Sequence, residues 1–326
     1  MLSALIAFGV SLIVCVAFIR FPGLGRLLTR GAASPRWRMD AVPLAGGLAM
    51  GAGFGAALLI LGRDLPRVGA IFGAAFLGLA VGLWDDLRAM RPATKLAGQV
   101  AVGLAMASLG LTVDLGPEAV AWIVTVAWVV VVANAVNLLD NMDAVAGGVT
   151  LVAAVTIWIW WSAGSGPVEI PAALAGAIAG FLVLNTPPAH LFMGDSGSHF
   201  LGAALAGLTL ADAGRAGSAG APSSWEVVLV PLLVLAVPLF DTALVTVERI
   251  RHRRPVWEGG NDHTSHRMVR AGLGVRATAA SLSLAAALTA GAASLAAIDG
   301  PWLAGAAVAI AVVALLAWWR LAKIEV

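Results

Sequence analysis

The run Ala119-Val-Ala-Trp-Ile-Val-Thr-Val-Ala-Trp-Val-Val-Val-Val-Ala-Asn-Ala-Val-Asn137 contains no charged residue and ends on two asparagines one helical turn apart. A helix of that length, rising about 1.5 Å per residue, crosses the hydrocarbon layer of a bilayer. A surface helix of a soluble protein would carry a polar face along its whole length. Here the strongly polar side chains sit at one end only. The rest of the chain repeats the pattern. Of its 326 residues, 60% are hydrophobic and 12% are charged, about half the charged share of an ordinary soluble domain. A water-soluble globule of this composition could not cover itself with polar surface. The 38 glycines fit close helix contact in lipid. A disordered chain, a disulfide scaffold, a nucleic-acid-binding module and a coiled coil are excluded. The single cysteine, Cys15, allows neither an intramolecular disulfide nor a thiolate metal cluster.

Working outward, apolar runs occur at roughly 2–19, 43–62, 68–84, 96–113, 119–137, 149–163, 171–187, 199–213, 225–247, 274–296 and 301–319. The expected fold class is therefore all-α, a polytopic integral membrane protein of about 11 transmembrane helices. The first run has its first base, Arg20, after it rather than before it. That pattern suits a retained span with the N-terminus outside better than a cleaved signal peptide. Alternating from there places every Lys and Arg on the inner side except Arg63, Arg67 and Arg215, and the C-terminus inside as well. One span more or fewer would scramble that asymmetry. The connections are too short for a separate soluble domain, so residues 1–326 read as a single domain, with Ala211–Ser224 as a flexible outer loop.

Five polar clusters fall at inner ends of these runs. The first is the adjacent pair Asp85-Asp86, followed by Lys95 and Gln99. Adjacent carboxylates repel each other and are tolerated where a cation compensates, either a metal or the nearby Arg88 and Lys95. The second is Asn134, Asn137, Asp140 and Asp143, closed by Gly147-Gly148. Polar residues on an otherwise apolar helix are costly unless they bind something or tie helices together. The third is Gly194-Asp-Ser-Gly-Ser198, with Asn185 upstream; small residues around Asp195 would let phosphate and backbone approach closely. The fourth is Pro238-Leu-Phe-Asp241, an acid inside an apolar run, which suits either a functional site or a helix-to-helix ion pair. The fifth is the long inner loop, with Arg249, Arg251, Arg253 and Arg254 and then Asp262-His-Thr-Ser-His-Arg267. Arginines offer bidentate phosphate contacts, although a basic loop could also grip anionic lipid. His263 and His266 lack a third nitrogen or sulfur donor nearby, so a zinc site is not expected.

Carboxylates for a hard cation, bases for phosphate and amides for a heterocycle, all on one face, suit magnesium-dependent phosphoryl transfer at a membrane surface. The order and spacing also resemble the polyprenyl-phosphate N-acetylhexosamine-1-phosphate transferases (glycosyltransferase 4), the WecA-type and MraY-type enzymes. The matching pieces are Val42-Pro-Leu-Ala-Gly-Gly47, Asp85-Asp86 with Lys95 and Gln99, and Asn134-x-x-Asn137-x-x-Asp140-x-x-Asp143. Gly194-Asp-Ser-Gly-Ser198, Pro238-x-x-Asp241 and Asp262-His-x-x-His-Arg267 complete the set. The resemblance implies transfer of a sugar 1-phosphate, GlcNAc-1-phosphate foremost, from a UDP-N-acetylhexosamine to undecaprenyl or another polyprenyl phosphate. UMP would be released, at the cytoplasmic face of the cell inner membrane.

It also implies roles. Asp195, Asp85 and Asp86 would hold Mg²⁺, with Mn²⁺ as an alternative, and Asp85 and Asp86 would position or deprotonate the lipid phosphate. Asn137, Asp140 and Asp143 match the nucleotide pocket, with Asn134 beside them and Asn185 at the uracil end. His263, His266 and Arg267 match a loop at the diphosphate or the sugar, and Lys95 and Arg254 add phosphate contacts. No nucleic-acid partner is implied, and a homodimer is left open. Three departures stand out. Asn141 and Ala144 follow the two acids where the family usually has glycine. His263-Thr-Ser265-His266 lacks one imidazole of the usual His-x-His-His. Pro43-Leu44 replaces the usual Pro-Thr and leans toward the WecA-like branch. The alternatives are an MraY-type enzyme using UDP-MurNAc-pentapeptide and, from a different class, a transporter or flippase.

Overall fold

The computed structural model describes residues 1–21, 42–61, 66–113, 117–216, 226–296 and 301–323. Arg26, Arg30, Arg36, Arg38, Asp40 and Arg63 of the charge pattern lie outside them. Helices α1 (Leu2–Arg20), α2 (Gly46–Leu61), α3 (Pro66–Arg88), α4 (Pro92–Ser108) and α5 (Glu118–Leu139) come first. Then follow α6 (Val145–Trp160), α7 (Glu169–Asn185), α8 (Gly194–Ala216), α9 (Glu226–Val234) and α10 (Ala236–Arg251). A short α11 (Thr264–Arg270) precedes α12 (Val275–Ala296) and α13 (Pro301–Ala322). Each expected apolar run is occupied by helix, and the described residues contain no β-strand, only one isolated bridge between Leu44 and Phe192.

Among the described residues, 5 helices are long and apolar enough to cross a membrane: α1, α3, α5, α6 with the turn after it, and α12. The pair α9 and α10 brings the number to 6 if taken as one broken span. The chain is thus an all-helical, multi-pass membrane protein.

Local chemistry sets the boundaries. Pro92 begins α4 and Pro117 precedes α5, where a missing N–H costs nothing. Ala144 adopts a left-handed backbone (φ 62°) immediately before α6. The run 225–247, expected as one straight span, is instead bent by 82° between α9 and α10. Pro231 lies inside α9 and Pro238 in the first turn of α10, so two backbone donors are missing around Leu235. Of the expected outer loop, residues 211–216 are instead the end of α8, and the remainder lies outside the described residues.

Helix α8 forms the centre of the bundle. Phe200, Leu201, Leu205 and Leu208 are fully buried, and α8 packs on α3, α5, α2 and α9. Two glycines let backbones touch. A Cβ on Gly82 of α3 would collide with the Asp195 carbonyl, and one on Gly47 would collide with the backbone N of Gly197. Residues 43–47 are also stitched to the turn before α8. Phe192 N donates to the Pro43 carbonyl at 3.0 Å, and Gly46 N and Gly47 N donate to the Phe192 and Met193 carbonyls at 2.9 Å each. The first glycine-rich motif is therefore part of the scaffold that holds Asp195.

Candidate active site

Direct hydrogen bonds link all five polar clusters. The hub is Lys95, in the first turn of α4. Its Nζ lies 2.8 Å from Asp85 Oδ2, 3.2 Å from Asp195 Oδ1 and 3.3 Å from Asn137 Oδ1. Asn137 Nδ2 in turn donates to Asp195 Oδ1 at 2.5 Å and to Ser198 Oγ at 2.9 Å. The end of α3, the start of α4, the end of α5 and the start of α8 thus meet at one ammonium group. A charge held this far from water needs such partners.

Asp86 has a different task from its neighbour. Its Oδ1 accepts the backbone N–H of Asp195 at 2.8 Å and its Oδ2 that of Ser196 at 2.9 Å. These are orphan donors at the N-terminus of α8, and a carboxylate there also meets the positive end of the helix dipole. Among the described residues no group of three or more His, Cys, Asp or Glu side chains could hold a metal ion. The expected Asp85–Asp86–Asp195 metal set is therefore not assembled, because both oxygens of Asp86 face backbone. Asp195 and Asp85 remain as oxygen donors. One or two carboxylates completed by substrate phosphates is an ordinary arrangement for magnesium.

Sequence reasoning missed His199. It lies one turn after Asp195, fully buried. Its Nδ1 is 2.9 Å from the Asp195 carbonyl, which can only accept, so Nδ1 carries the proton. Its Nε2 then accepts from Gln99 Nε2 at 3.1 Å. Gln99 and Asn134 exchange amide hydrogen bonds at 2.7 and 3.3 Å, and Asn134 Nδ2 also reaches the Val130 carbonyl. Asn134 is thus spent on joining α4 to α5. The i, i+4 spacing of Asp195 and His199 was a signal available in the sequence.

The turn between α5 and α6 carries the residues expected at the nucleotide. Asp140 caps the C-terminus of α5, and Asp143 Oδ2 accepts the Ala189 N–H at 3.0 Å. Asn185 is buried. Its Oδ1 accepts the Ala144 N–H and its Nδ2 donates to the Leu191 carbonyl, both at 2.9 Å. It braces the left-handed Ala144 and the approach to α8. Asn141 Nδ2 donates to the Leu138 carbonyl, and its Oδ1 accepts from Ser265 across the gap to α11.

The fourth and fifth clusters join at Asp241. Its Oδ2 lies 2.8 Å from His263 Nδ1, and its Oδ1 accepts the Thr264 N–H at 2.7 Å. Arg249, 1% exposed, holds Asp262 with Nε and Nη2 at 2.9 and 2.8 Å. Burial alone would raise the Asp262 carboxyl, but the hydrogen bonds and charge of Arg249 outweigh it and hold it below the usual carboxylate range. Burial, with His263 adding to it, pushes His266 down to about 4, so its ring is neutral at pH 7. Arg267 Nε donates to the Asp262 carbonyl at 3.0 Å. Arg254 is exposed, on the wall of a cavity of about 610 Å³ shared with Glu248, Arg251, Arg267 and Lys323. It stands apart from the Lys95 hub.

The profile described as "Glycosyl transferase family 4" matches residues 68–212, the segment from the start of α3 through the Lys95 hub. A Bacillus subtilis (strain 168) protein named "Probable undecaprenyl-phosphate N-acetylglucosaminyl 1-phosphate transferase" is 31% identical over 254 residues, covering 72% of this chain and 68% of its own. This chain belongs to glycosyl transferase family 4. Another relative is the "Decaprenyl-phosphate N-acetylglucosaminephosphotransferase" of Mycolicibacterium smegmatis, 31% identical over 281 residues, with 74% of this chain and 69% of that one covered. A "Phospho-N-acetylmuramoyl-pentapeptide-transferase" of Thermobifida fusca is 31% identical over 273 residues, with 64% and 77% covered. In this family 4 member, the family expected from its motifs is thereby confirmed. The motif residues inside the profile include Asp85, Asn137 and Asp195 around Lys95, together with Asp140, Asp143 and Asn185.

Proposed function

We propose that this chain transfers a sugar 1-phosphate, GlcNAc-1-phosphate foremost, from a UDP-sugar to undecaprenyl or another polyprenyl phosphate. An oxygen of the lipid phosphate bonds to the β-phosphorus of the donor. The bond from that phosphorus to the α,β-bridging oxygen breaks, UMP leaves, and a polyprenyl-diphosphate sugar remains. A lipid phosphate monoester is already largely ionised at pH 7, given a second pKa of about 6. Asp85 therefore serves to position rather than to deprotonate. The observation that carries the reading is the meeting of Asp85, Asn137 and Asp195 around Lys95. It places a cation and oxygen donors together, as phosphoryl transfer needs.

Asp195, with Asp85, would hold Mg²⁺, and the ion would neutralise charge on the donor diphosphate. Lys95 would contact phosphate and keep the two carboxylates apart in charge. Asn137, Asp140 and Asp143 would shape the nucleotide pocket, with Asn185 bracing it, and His263, His266 and Arg267 would approach the donor from the last inner loop. Eleven spans, with the N-terminus outside and the site on the cytoplasmic side of the inner membrane, belong to this reading; what supports them is the placement of bases at one set of apolar-run ends in the sequence.

The test uses purified protein with undecaprenyl phosphate and labelled UDP-GlcNAc, UDP-GalNAc or UDP-MurNAc-pentapeptide, with Mg²⁺ or with chelator. Lipid-linked label and UMP are expected with UDP-GlcNAc and Mg²⁺. Turnover only with the pentapeptide donor would assign the MraY-type activity instead, and none with any donor would defeat the transferase reading.

A further inference from the structure

Asn141 and Ser265 are two departures from the family pattern, 124 positions apart, and they meet: the Ser265 hydroxyl donates to Asn141 Oδ1 at 2.5 Å. The amide end that faces Ser265 is fixed by its other partner. Asn141 Nδ2 donates at 2.7 Å to the Leu138 carbonyl, which can only accept. The end turned to Ser265 is therefore the oxygen, which has no proton to give. The single hydroxyl proton of Ser265 must lie in that bond. Toward its other neighbour, His266 Nδ1 at 3.4 Å, Ser265 Oγ is then an acceptor, and the proton between them belongs to the histidine. His263 is set in the same sense from the opposite side, since the Asp241 carboxylate accepts from its Nδ1 at 2.8 Å. The two ring centres are 5.9 Å apart.

We infer that Asn141, acting through Ser265, is a positioning residue that keeps His266 in its Nδ1–H form and holds the histidine segment against the Asp140 turn. His266 then carries its proton on Nδ1 and leaves Nε2 as the nitrogen without one. The volumes agree as well. A serine where an imidazole would stand vacates space, and an asparagine where a glycine would stand fills it. The expected effect on turnover rests on the transferase reading, whereas the tautomer does not.

Histidine-selective ¹⁵N labelling of the purified full-length protein at pH 7 reads the tautomer of each ring, and a His266→Gln variant assigns the signal. In the wild type, His266 is expected with Nδ1 protonated. Ser265→Ala and Asn141→Ala should move it toward the Nε2–H form, whereas Ser265→Thr, which keeps the hydroxyl, should preserve the wild-type spectrum. In the transfer assay each alanine variant should lower kcat on the order of tenfold, and the double variant should fall no further than the worse single. His266 protonated on Nε2 in the wild type, or alanine variants with unchanged spectra and independent effects, would overturn the inference. Should the wild type lack transfer activity, the functional reading fails, and the spectra still decide the tautomer.

Discussion

Asp241 receives the Nδ1 proton of His263 at 2.8 Å while only 1% of its own surface is exposed. Its second oxygen takes the Thr264 N–H at 2.7 Å, so one carboxylate fixes both the ring and the start of α11. An amide at this position would face two donors with one oxygen and one NH₂ group. Asp241→Asn should therefore turn His263 or flip its tautomer. We expect kcat to fall about 10–100-fold, as for other groups that orient a functional imidazole, with folding retained. Steady-state kinetics on the purified variant checks this, and wild-type turnover would show that the orientation does not matter.

Asp86 and Asp195 should separate by phenotype. Removing Asp86 strands two buried N–H groups at the start of α8, at about 1–3 kcal/mol each. Asp86→Ala should lose thermal stability and activity together. Asp195→Ala, at a side chain that is 35% exposed, should keep its melting temperature far better yet lose sugar-phosphate transfer. Melting curves in detergent beside activity for the two variants make the comparison. The opposite ranking of melting temperatures would mean that the two acids have been assigned the wrong way round.

His199 should tolerate one substitution and not another. His199→Phe keeps volume but leaves one proton of the Gln99 amide without its acceptor and removes the ring donor to the Asp195 carbonyl. That should cost roughly 1–3 kcal/mol and slow catalysis through the displaced start of α8. His199→Gln, which retains a donor and an acceptor, should recover part of both. If Phe performs as well as Gln, the hydrogen bonds are dispensable and the site is simply packed.

The Arg249–Asp262 pair should leave a signature in pH. Asp262 is held below its ordinary value, so its contribution is present above the unfolded carboxylate pKa of about 3.9. It is lost only as pH falls through the lower folded value. The pair is therefore intact from pH 5 to 8. Arg249→Met leaves the carboxylate buried without its cation, a change that typically costs about 3–5 kcal/mol. Burial then raises the Asp262 pKa above the unfolded value, and protonation relieves the variant as the medium is acidified. The stability gap to wild type should narrow between pH 7 and pH 5. A constant gap across that range would indicate that Asp262 finds another cation.

Much of this was legible in the chain. Apolar runs with polar residues at alternate ends are enough to expect helices and to bring the clusters to one side, because a helix in lipid satisfies its own backbone. What the sequence withheld was the division of labour among identical side chains. Asp85 and Asp86 are neighbours, yet one meets Lys95 and the other caps a helix more than a hundred residues away. Their difference lies in the rotation of α3 against α8, which spacing does not encode. Asn134 and Asn137 share a face, but only Asn137 reaches Asp195, since Gln99 occupies Asn134. The elbow at Leu235 was readable from Pro231 and Pro238, and hydropathy averaging hid it. His199 was masked by its apolar surroundings.

The network linking the clusters is also a timetable. The contacts among α3, α4, α5 and α8 can all form once His199 has left the ribosome and its helix has entered the membrane. The bonds from Asn141 to Ser265 and from Asp241 to His263 must wait for the last inner loop. A half-made chain can therefore neutralise Asp85 and Asp195 with Lys95 early, staying tolerable to the bilayer, while its histidine wall is still missing. Translation order thus separates safe insertion from the acquisition of function, and a product truncated before α11 would be an inserted but inert protein.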